Sequence, residues 1–247
     1  MVRYIKYMVI MAVMALAACE YEPADERYPE RVGKVLWNIT KEDLGRVNDI
    51  LDFVARYNYM LSIEDAELRD AYIARNFSDA EIRVVGNRHQ LLYHTNYGTT
   101  YSVLIEMEAE AWRVTRSGGQ GYALTITPAT NGHYDVIFDE LYNAESSGRG
   151  NLNAYVEYGD GGAPELSYTG ELVMVDAEEG EDTPLTITTN IETAIHYTRA
   201  MEMTEGRMQI TAHDELYGTT DEALVTIMKY ERTVVIESMG TVVRYGY

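Results

Sequence analysis

The amino-acid sequence predicts an α+β protein that is mainly β, with a helical hairpin followed by an antiparallel β-meander or β-sandwich. Two observations predict this class. Between residues 40 and 77, apolar residues recur at intervals of three and four, which is the period of a helix with one buried face. From residue 80 onward they alternate with polar residues, and turns rich in Gly, Asn and Asp separate the runs, as in antiparallel strands.

Residues 1–18 have the organisation of a secretory signal peptide. Arg3 and Lys6 supply positive charge, residues 8–16 are apolar, and small side chains precede Cys19. The apolar run is shorter than the roughly 20 residues that a membrane-spanning helix needs. We therefore expect cleavage after residue 18.

Cys19 is the only cysteine in the chain, and it ends the sequence Leu16-Ala17-Ala18-Cys19. These four residues resemble the lipobox of bacterial lipoprotein precursors; the resemblance extends no further than the signal segment. It implies that Cys19 carries a diacylglyceryl group and, as the new N-terminus, a further acyl chain such as palmitate. Two or more acyl chains anchor a protein stably. The alternatives are an ordinary signal peptide with an unrelated cysteine, or a retained helical anchor.

Acidic residues follow the cysteine directly: Glu20, Glu22, Asp25 and Glu26. An acidic run here resembles the export signal that displays some lipoproteins at the bacterial surface, and the absence of Asp at position 20 favours the outer membrane in the sorting rule of enteric bacteria. The resemblance implies an outer-membrane protein, anchored to membrane lipid through Cys19, that faces the periplasm or the cell exterior.

Residues 19–37 are predicted to be an acidic tether, because Pro23, Pro29 and Gly33 lie among charged residues. Residues 38–78 are predicted to form the helical hairpin. Thr40 and the acids after it are typical of a helix start, and Ser62 with Glu64 and Asp65 predicts the start of a second, shorter helix. One face of the first helix is predicted from this spacing: Leu44, Val47, Leu51, Val54, Asn58 and Leu61.

Residues 79–247 are predicted to form one β-rich domain of about 12 strands. In residues 122–127 and 207–214, for example, every second side chain is apolar or aromatic. The chain also contains 21 Tyr but only 3 Phe. Tyrosine suits half-buried strand surfaces, so this excess indicates either a sheet with a large solvent-facing surface or a tyrosine-lined face that binds sugars or peptides.

The net charge of −20, from 20 basic and 40 acidic residues, disfavours nucleic acid as a partner. If Cys19 is lipidated, no thiol remains for disulfides, zinc or nucleophilic catalysis. The sequence contains no G-x-S-x-G or H-E-x-x-H motif. His89 and His94 are five residues apart and are predicted on opposite faces of a strand. No cofactor is expected.

No metal ion is predicted, and a segment rich in acids is only a weak candidate for Ca²⁺. Carboxylates on a flexible loop are ligands that Ca²⁺ accepts, but the spacing is not that of an EF-hand, and a charged hairpin tip needs no ion. The candidate ligands are Asp176, Glu178, Glu179, Glu181 and Asp182.

These observations predict a lipid-anchored protein with a non-enzymatic binding or assembly role. The expected ligand is a glycan or a protein, and Trp112 is the first candidate for a binding residue. The alternative is an anchored hydrolase of polysaccharide or peptide that uses two carboxylates as acid and base, since such a pair is close in space and not in sequence.

Overall fold

The computed structural model describes residues 28–94, 100–118, 120–129, 131–143, 146–176, 185–198, 200 and 202–246. Two helices come first, α1 (Tyr28–Ser62) and α2 (Ala66–Asn76). The strands that follow are β1 (Ala80–Val85), β2 (Arg88–His94), β3 (Thr100–Met107), β4 (Trp112–Ser117), β5 (Gly121–Pro128), β6 (His133–Tyr142), β7 (Ser146–Tyr158), β8 (Pro164–Asp176), β9 (Leu185–Tyr197), β10 (Met203–Asp214), β11 (Thr219–Met228), β12 (Thr233–Ser238) and β13 (Thr241–Gly246).

The strands form one sheet in which each strand pairs with the next along the chain, from β1 to β13. Every described pairing is antiparallel, so the predicted class, mainly β with an N-terminal helical segment, is confirmed as a meander. The described residues form 13 strands of this sheet, against the predicted value of about 12. A single turn of 3₁₀ helix, Asp160–Gly162, connects β7 to β8.

Alternate residues of each long strand form the core, as the sequence pattern predicts. On β5 the buried residues are Tyr122, Leu124 and Ile126, and on β10 they include Met208 and Ile210. Because successive side chains of a strand point to opposite faces, these residues all lie on one face of the sheet. That face is the inner one, and it packs against α1.

Helix α1 lies along the inner face and contacts strands from both ends of the sheet. Near its C-terminal end, Tyr57 hydrogen-bonds His89 of β2. Near its N-terminal end, the backbone at Gly33 packs so closely on β12 that a methyl group there would lie 2.8 Å from Ile236 Cγ2. The sheet therefore bends around α1, and this helix fills the centre of the core.

The first helix begins earlier than the sequence pattern predicts. α1 starts at Tyr28, so residues 28–37 are helical and the predicted end of the tether at residue 37 is wrong. Pro29 suits the first turn of a helix, where its missing N–H is not needed. Gly33 suits a helix here because its lack of a side chain allows the close approach to β12. Thr40, predicted as the helix start, lies inside α1 and is buried.

The predicted helix face is confirmed. Its residues Leu44, Val47, Leu51 and Val54 are all buried in the core. The second helix begins after Asp65, whose carboxylate accepts a hydrogen bond of 2.9 Å from the Leu68 N–H and so caps α2.

Helix α2 turns back toward α1. Arg56 Nη1 of α1 donates to Asn76 Oδ1 of α2 over 3.0 Å, and the ring of Phe77 meets those of Phe53 and Tyr57 edge-on. No helix in the described part of the chain is both long and apolar enough to cross a membrane.

Candidate ligand-binding cavity

A cavity of about 280 Å³ lies between α1 and strands β4 to β7. We call it the Trp112 cavity. Aliphatic and aromatic side chains make up most of its wall, and Asn58 and Tyr134 contribute the polar groups. The lining residues are Leu51, Val54, Ala55, Asn58, Trp112, Ile126, Pro128, Tyr134, Val136, Ala154 and Val156.

The wall on the sheet side is a row of cross-strand neighbours. Trp112 of β4 pairs with Ile126 of β5, and Ile126 pairs with Val136 of β6. Direct neighbours in an antiparallel sheet face the same side, so all three side chains face α1. The helix side comes from residues three and four apart, which share one helix face.

The polar end of the cavity is a small hydrogen-bond network centred on Asn58. Its amide nitrogen donates to the hydroxyls of Tyr134, at 3.0 Å, and Tyr158, at 3.4 Å. The Tyr158 hydroxyl donates to the Ala55 carbonyl at 2.9 Å. Asn58 therefore uses its nitrogen within the protein, while its Oδ1 accepts no hydrogen bond from any residue that the structure describes. This oxygen is an acceptor available to a ligand.

The network is electrically neutral. Burial raises the pKa of both Tyr134 and Tyr158, so neither hydroxyl ionises near neutral pH. Among the described residues, those that line the cavity include no acidic or basic side chain. The cavity thus favours uncharged groups, because a charge placed there would lose its hydration without gaining a partner.

Size and polarity limit what the cavity can hold. About 150 Å³ is enough for a benzene molecule in an apolar protein cavity, so the Trp112 cavity has room for one aromatic or branched aliphatic group. A sugar ring would leave several hydroxyls without partners against the aliphatic wall, which is unfavourable. An aromatic group with one N–H or O–H fits best, since it can donate to Asn58 Oδ1.

Two neighbouring carboxylates, as an acid–base pair would need, occur on α1: those of Asp49 and Asp52. The pKa of Asp49 is raised by partial burial and by the charge of Asp52. Asp52, however, is paired with Arg56, at 2.7 Å between Oδ2 and Nε. Neither acid lines the Trp112 cavity. The described lining of the cavity therefore offers groups that can bind a ligand and includes no carboxylate.

The structure places the predicted site residues as follows. Trp112 is half-buried and lines the cavity. Cys19 lies outside the described residues, as do four of the candidate calcium ligands, while the fifth, Asp176, ends β8. The described residues contain no cluster of three or more groups suited to a metal ion. The acidic segment stays an untested candidate for Ca²⁺.

The histidines do not meet at a site. His89 is buried and His94 is exposed, so their predicted placement on opposite faces of a strand is confirmed. His89 Nδ1 lies 2.6 Å from the Tyr57 hydroxyl. His213 is exposed, and its Nδ1 lies 3.1 Å from Thr220 Oγ1.

Sequence reasoning did not identify Asn58, Tyr134 or Tyr158 as site residues. One signal for Asn58 exists in the sequence, because it is the single polar residue in the predicted buried face of α1. A buried amide needs hydrogen-bond partners, so it predicts a polar contact from the sheet. The partners are 76 and 100 residues away along the chain, and no local pattern identifies them.

Comparison with known proteins found no family model that matches the sequence, no similar curated protein and no solved structure similar to this one.

Proposed function

We propose that the protein is a lipid-anchored, non-enzymatic binding protein of the outer membrane. Acyl chains on Cys19 hold it at the membrane, and the Trp112 cavity takes up an aromatic side chain of a protein ligand. The cavity itself, apolar with the Asn58 Oδ1 acceptor at its polar end, is the observation that carries the binding role. The sequence Leu16-Ala17-Ala18-Cys19 supports the anchor.

A protein ligand suits the cavity better than a glycan does. The Trp112, Ile126 and Val136 side chains offer apolar surface, whose burial against a ligand ring contributes about 25 cal/mol per Å². The hydroxyl of a tyrosine, or the N–H of a tryptophan, would supply the donor that Asn58 Oδ1 accepts. Aromatic side chains in pockets are also the usual centres of binding energy in protein interfaces.

The cavity can be tested with a ligand that imitates a tyrosine side chain. We expect para-cresol to bind with a dissociation constant of about 1 mM or below, as a small ligand in a well-formed pocket can. Toluene, which lacks the hydroxyl, should bind up to about tenfold more weakly because one hydrogen bond contributes about 1 kcal/mol. Glucose should not bind. Calorimetric titration measures all three.

A matched pair of variants locates the binding site. Ala154→Phe places a ring in the cavity and should abolish para-cresol binding, because Ala154 is buried in the wall. Ile137→Phe adds a ring on the outer face of β6, where residue 137 is exposed, and should leave binding unchanged. Failure of para-cresol to bind the folded wild type, or equal binding to both variants, would contradict the proposed cavity function.

The anchor has its own test. Cells grown with labelled palmitate should label the wild type and leave Cys19→Ala unlabelled, because the thiol is the attachment point. Equal labelling of the two proteins would refute the lipoprotein assignment. Protease treatment of intact cells then separates the two orientations: degradation indicates the cell surface, and protection indicates the periplasmic side.

A further inference from the structure

A second and larger cavity, of about 880 Å³, lies at the other end of α1. It opens between the first half of that helix and the ends of strands β9 to β13. Its described lining includes four basic and three aromatic residues. We call it the basic groove; its lining residues are Lys34, Trp37, Asn38, Lys41, Gly45, Tyr197, Glu202, Met203, Thr204, Ile227, Lys229, Arg232, Val234, Tyr245 and Gly246.

The charge of the groove lining is opposite in sign to the net charge of the chain. The chain carries twice as many acidic as basic residues, yet the groove lining has four basic residues and one acid, Glu202. Lys34 is partly neutralised by an ion pair with Glu30. Lys41, Lys229 and Arg232 are exposed and form no ion pair with any described residue. A local positive field in an acidic protein concentrates anions at that place.

The basic residues stand on two opposing walls. Lys34 and Lys41 are seven residues apart on α1, which puts them on one helix face about 10 Å apart along the axis. Lys229 and Arg232 belong to the turn between β11 and β12. This arrangement matches a ligand with two separated anionic groups better than a single small anion.

Like Asn131 and Met239 in other turns, Arg232 has a left-handed backbone conformation. Its φ is +46°, a left-handed conformation that is unfavourable for a residue with a side chain by about 1 kcal/mol or more. A glycine would adopt the same backbone without strain. The turn instead keeps a long cationic side chain at the groove.

Aromatic residues supply the rest of the surface. Trp37 and Tyr197 are buried in the floor, and Tyr245 is half-buried. Lys34 Nζ lies 5.0 Å from the centre of the Tyr245 ring. The Tyr245 hydroxyl is buried and has no hydrogen-bond partner among the residues described. A buried hydroxyl without a partner is unfavourable.

We infer that the basic groove binds a sugar that carries two phosphate groups. The two cationic walls would hold the phosphate groups, and the aromatic rings of the lining would pack against the sugar between them. The groove volume lies within the range of sites for ligands of this size, roughly 300–1,000 Å³. This site is separate from the Trp112 cavity and does not depend on the function proposed for that cavity.

The two tryptophans of the chain allow the groove to be observed alone, because Trp37 lines the groove and Trp112 lines the other cavity. In the Trp112→Phe variant, Trp37 is the only tryptophan. Titration with glucose 1,6-bisphosphate should change its fluorescence in a saturable way. Inorganic phosphate should bind at least tenfold more weakly, and glucose should have no effect. Added salt should weaken the binding, since the contacts are charged.

The test variant and its control each lose two positive charges. Lys229→Gln with Arg232→Gln should weaken bisphosphate binding at least tenfold. Arg113→Gln with Arg149→Gln removes the same charge from exposed positions on β4 and β7 and should change the affinity less than twofold. Lys41→Gln tests the helix wall and should weaken binding severalfold. Circular dichroism and the urea unfolding midpoint confirm that each variant is folded.

The inference is overturned if the folded wild type does not respond to the bisphosphate. It is equally overturned if the Lys229/Arg232 variant binds as the wild type does, or if inorganic phosphate binds as tightly as the bisphosphate. None of these results affects the test with para-cresol, so the two sites can fail independently.

Discussion

At the scale of single residues, the contact between Tyr57 and His89 joins α1 to the N-terminal part of the sheet. The Tyr57 hydroxyl lies 2.6 Å from His89 Nδ1, and both residues are buried. Burial raises the pKa of Tyr57 to about 12 and lowers the pKa of His89 below its usual 6.5. The hydroxyl therefore keeps its proton, and we infer that it donates to a neutral imidazole. A protonated imidazole could not accept this bond.

Because of the hydrogen bond between Tyr57 and His89, we expect the protein to lose stability in mild acid. The folded-state pKa of His89 is depressed, so its contribution to stability is complete above about pH 6.5 and decreases as the pH falls through the folded pKa. Chemical denaturation at several pH values between 7.5 and 5 should show a decreasing free energy of unfolding. His89→Gln should lower stability by about 1–3 kcal/mol at pH 7.5, because it disturbs a buried hydrogen bond, and should show a weaker pH dependence.

His94→Gln is the control for this experiment, since His94 is on the same strand but exposed. It should retain both the stability and the pH dependence of the wild type. A pH dependence that is identical in the His89→Gln variant and the wild type would assign the acid sensitivity to other groups.

At the scale of elements, α1 shows what a local pattern can predict. The buried face from Leu44 to Leu61 follows from apolar spacing alone, since that spacing is the property of a helix that packs on one side. The start of the helix does not follow from it. Pro29 and Gly33 resemble linker residues, and the reason Gly33 is helical is its contact with Ile236, about 200 residues later in the chain.

The strands can also be predicted from a local pattern in the sequence. Alternation on β5 and β10 reflects burial of one face only, which is a local signature. The two candidate sites are not local. Their walls combine α1 with distant strands, and the acidic composition predicts nothing about a basic groove, because net charge averages over the whole surface. The residue type of Trp112 makes it a candidate from the sequence, whereas the partners of Asn58, which are 76 and 100 residues away, follow only from the fold.

At the scale of the whole molecule, α1 is the common wall of both sites and of the core. The Trp112 cavity uses residues 51–58 of this helix, and the basic groove uses residues 34–45. Contacts from β2, at Tyr57, and from β12, at Gly33, reach the same helix. Removing α1 would expose the apolar inner face of the sheet. The helix and the sheet should consequently unfold together, in one cooperative transition.

The two tryptophans test this cooperativity. The Trp112→Phe variant reports urea unfolding through Trp37, and the Trp37→Phe variant reports it through Trp112. In each variant, the midpoint from tryptophan fluorescence should equal the midpoint from circular dichroism. Leu44→Ala removes a fully buried side chain from the middle of α1 and should lower stability by about 2–5 kcal/mol. When Leu44→Ala is introduced into each single-tryptophan variant, the urea midpoint reported by Trp37 and the one reported by Trp112 should decrease by the same amount. A shift seen by Trp37 alone would show that the two ends of the molecule unfold separately, and that ligand binding in one site need not stabilise the other.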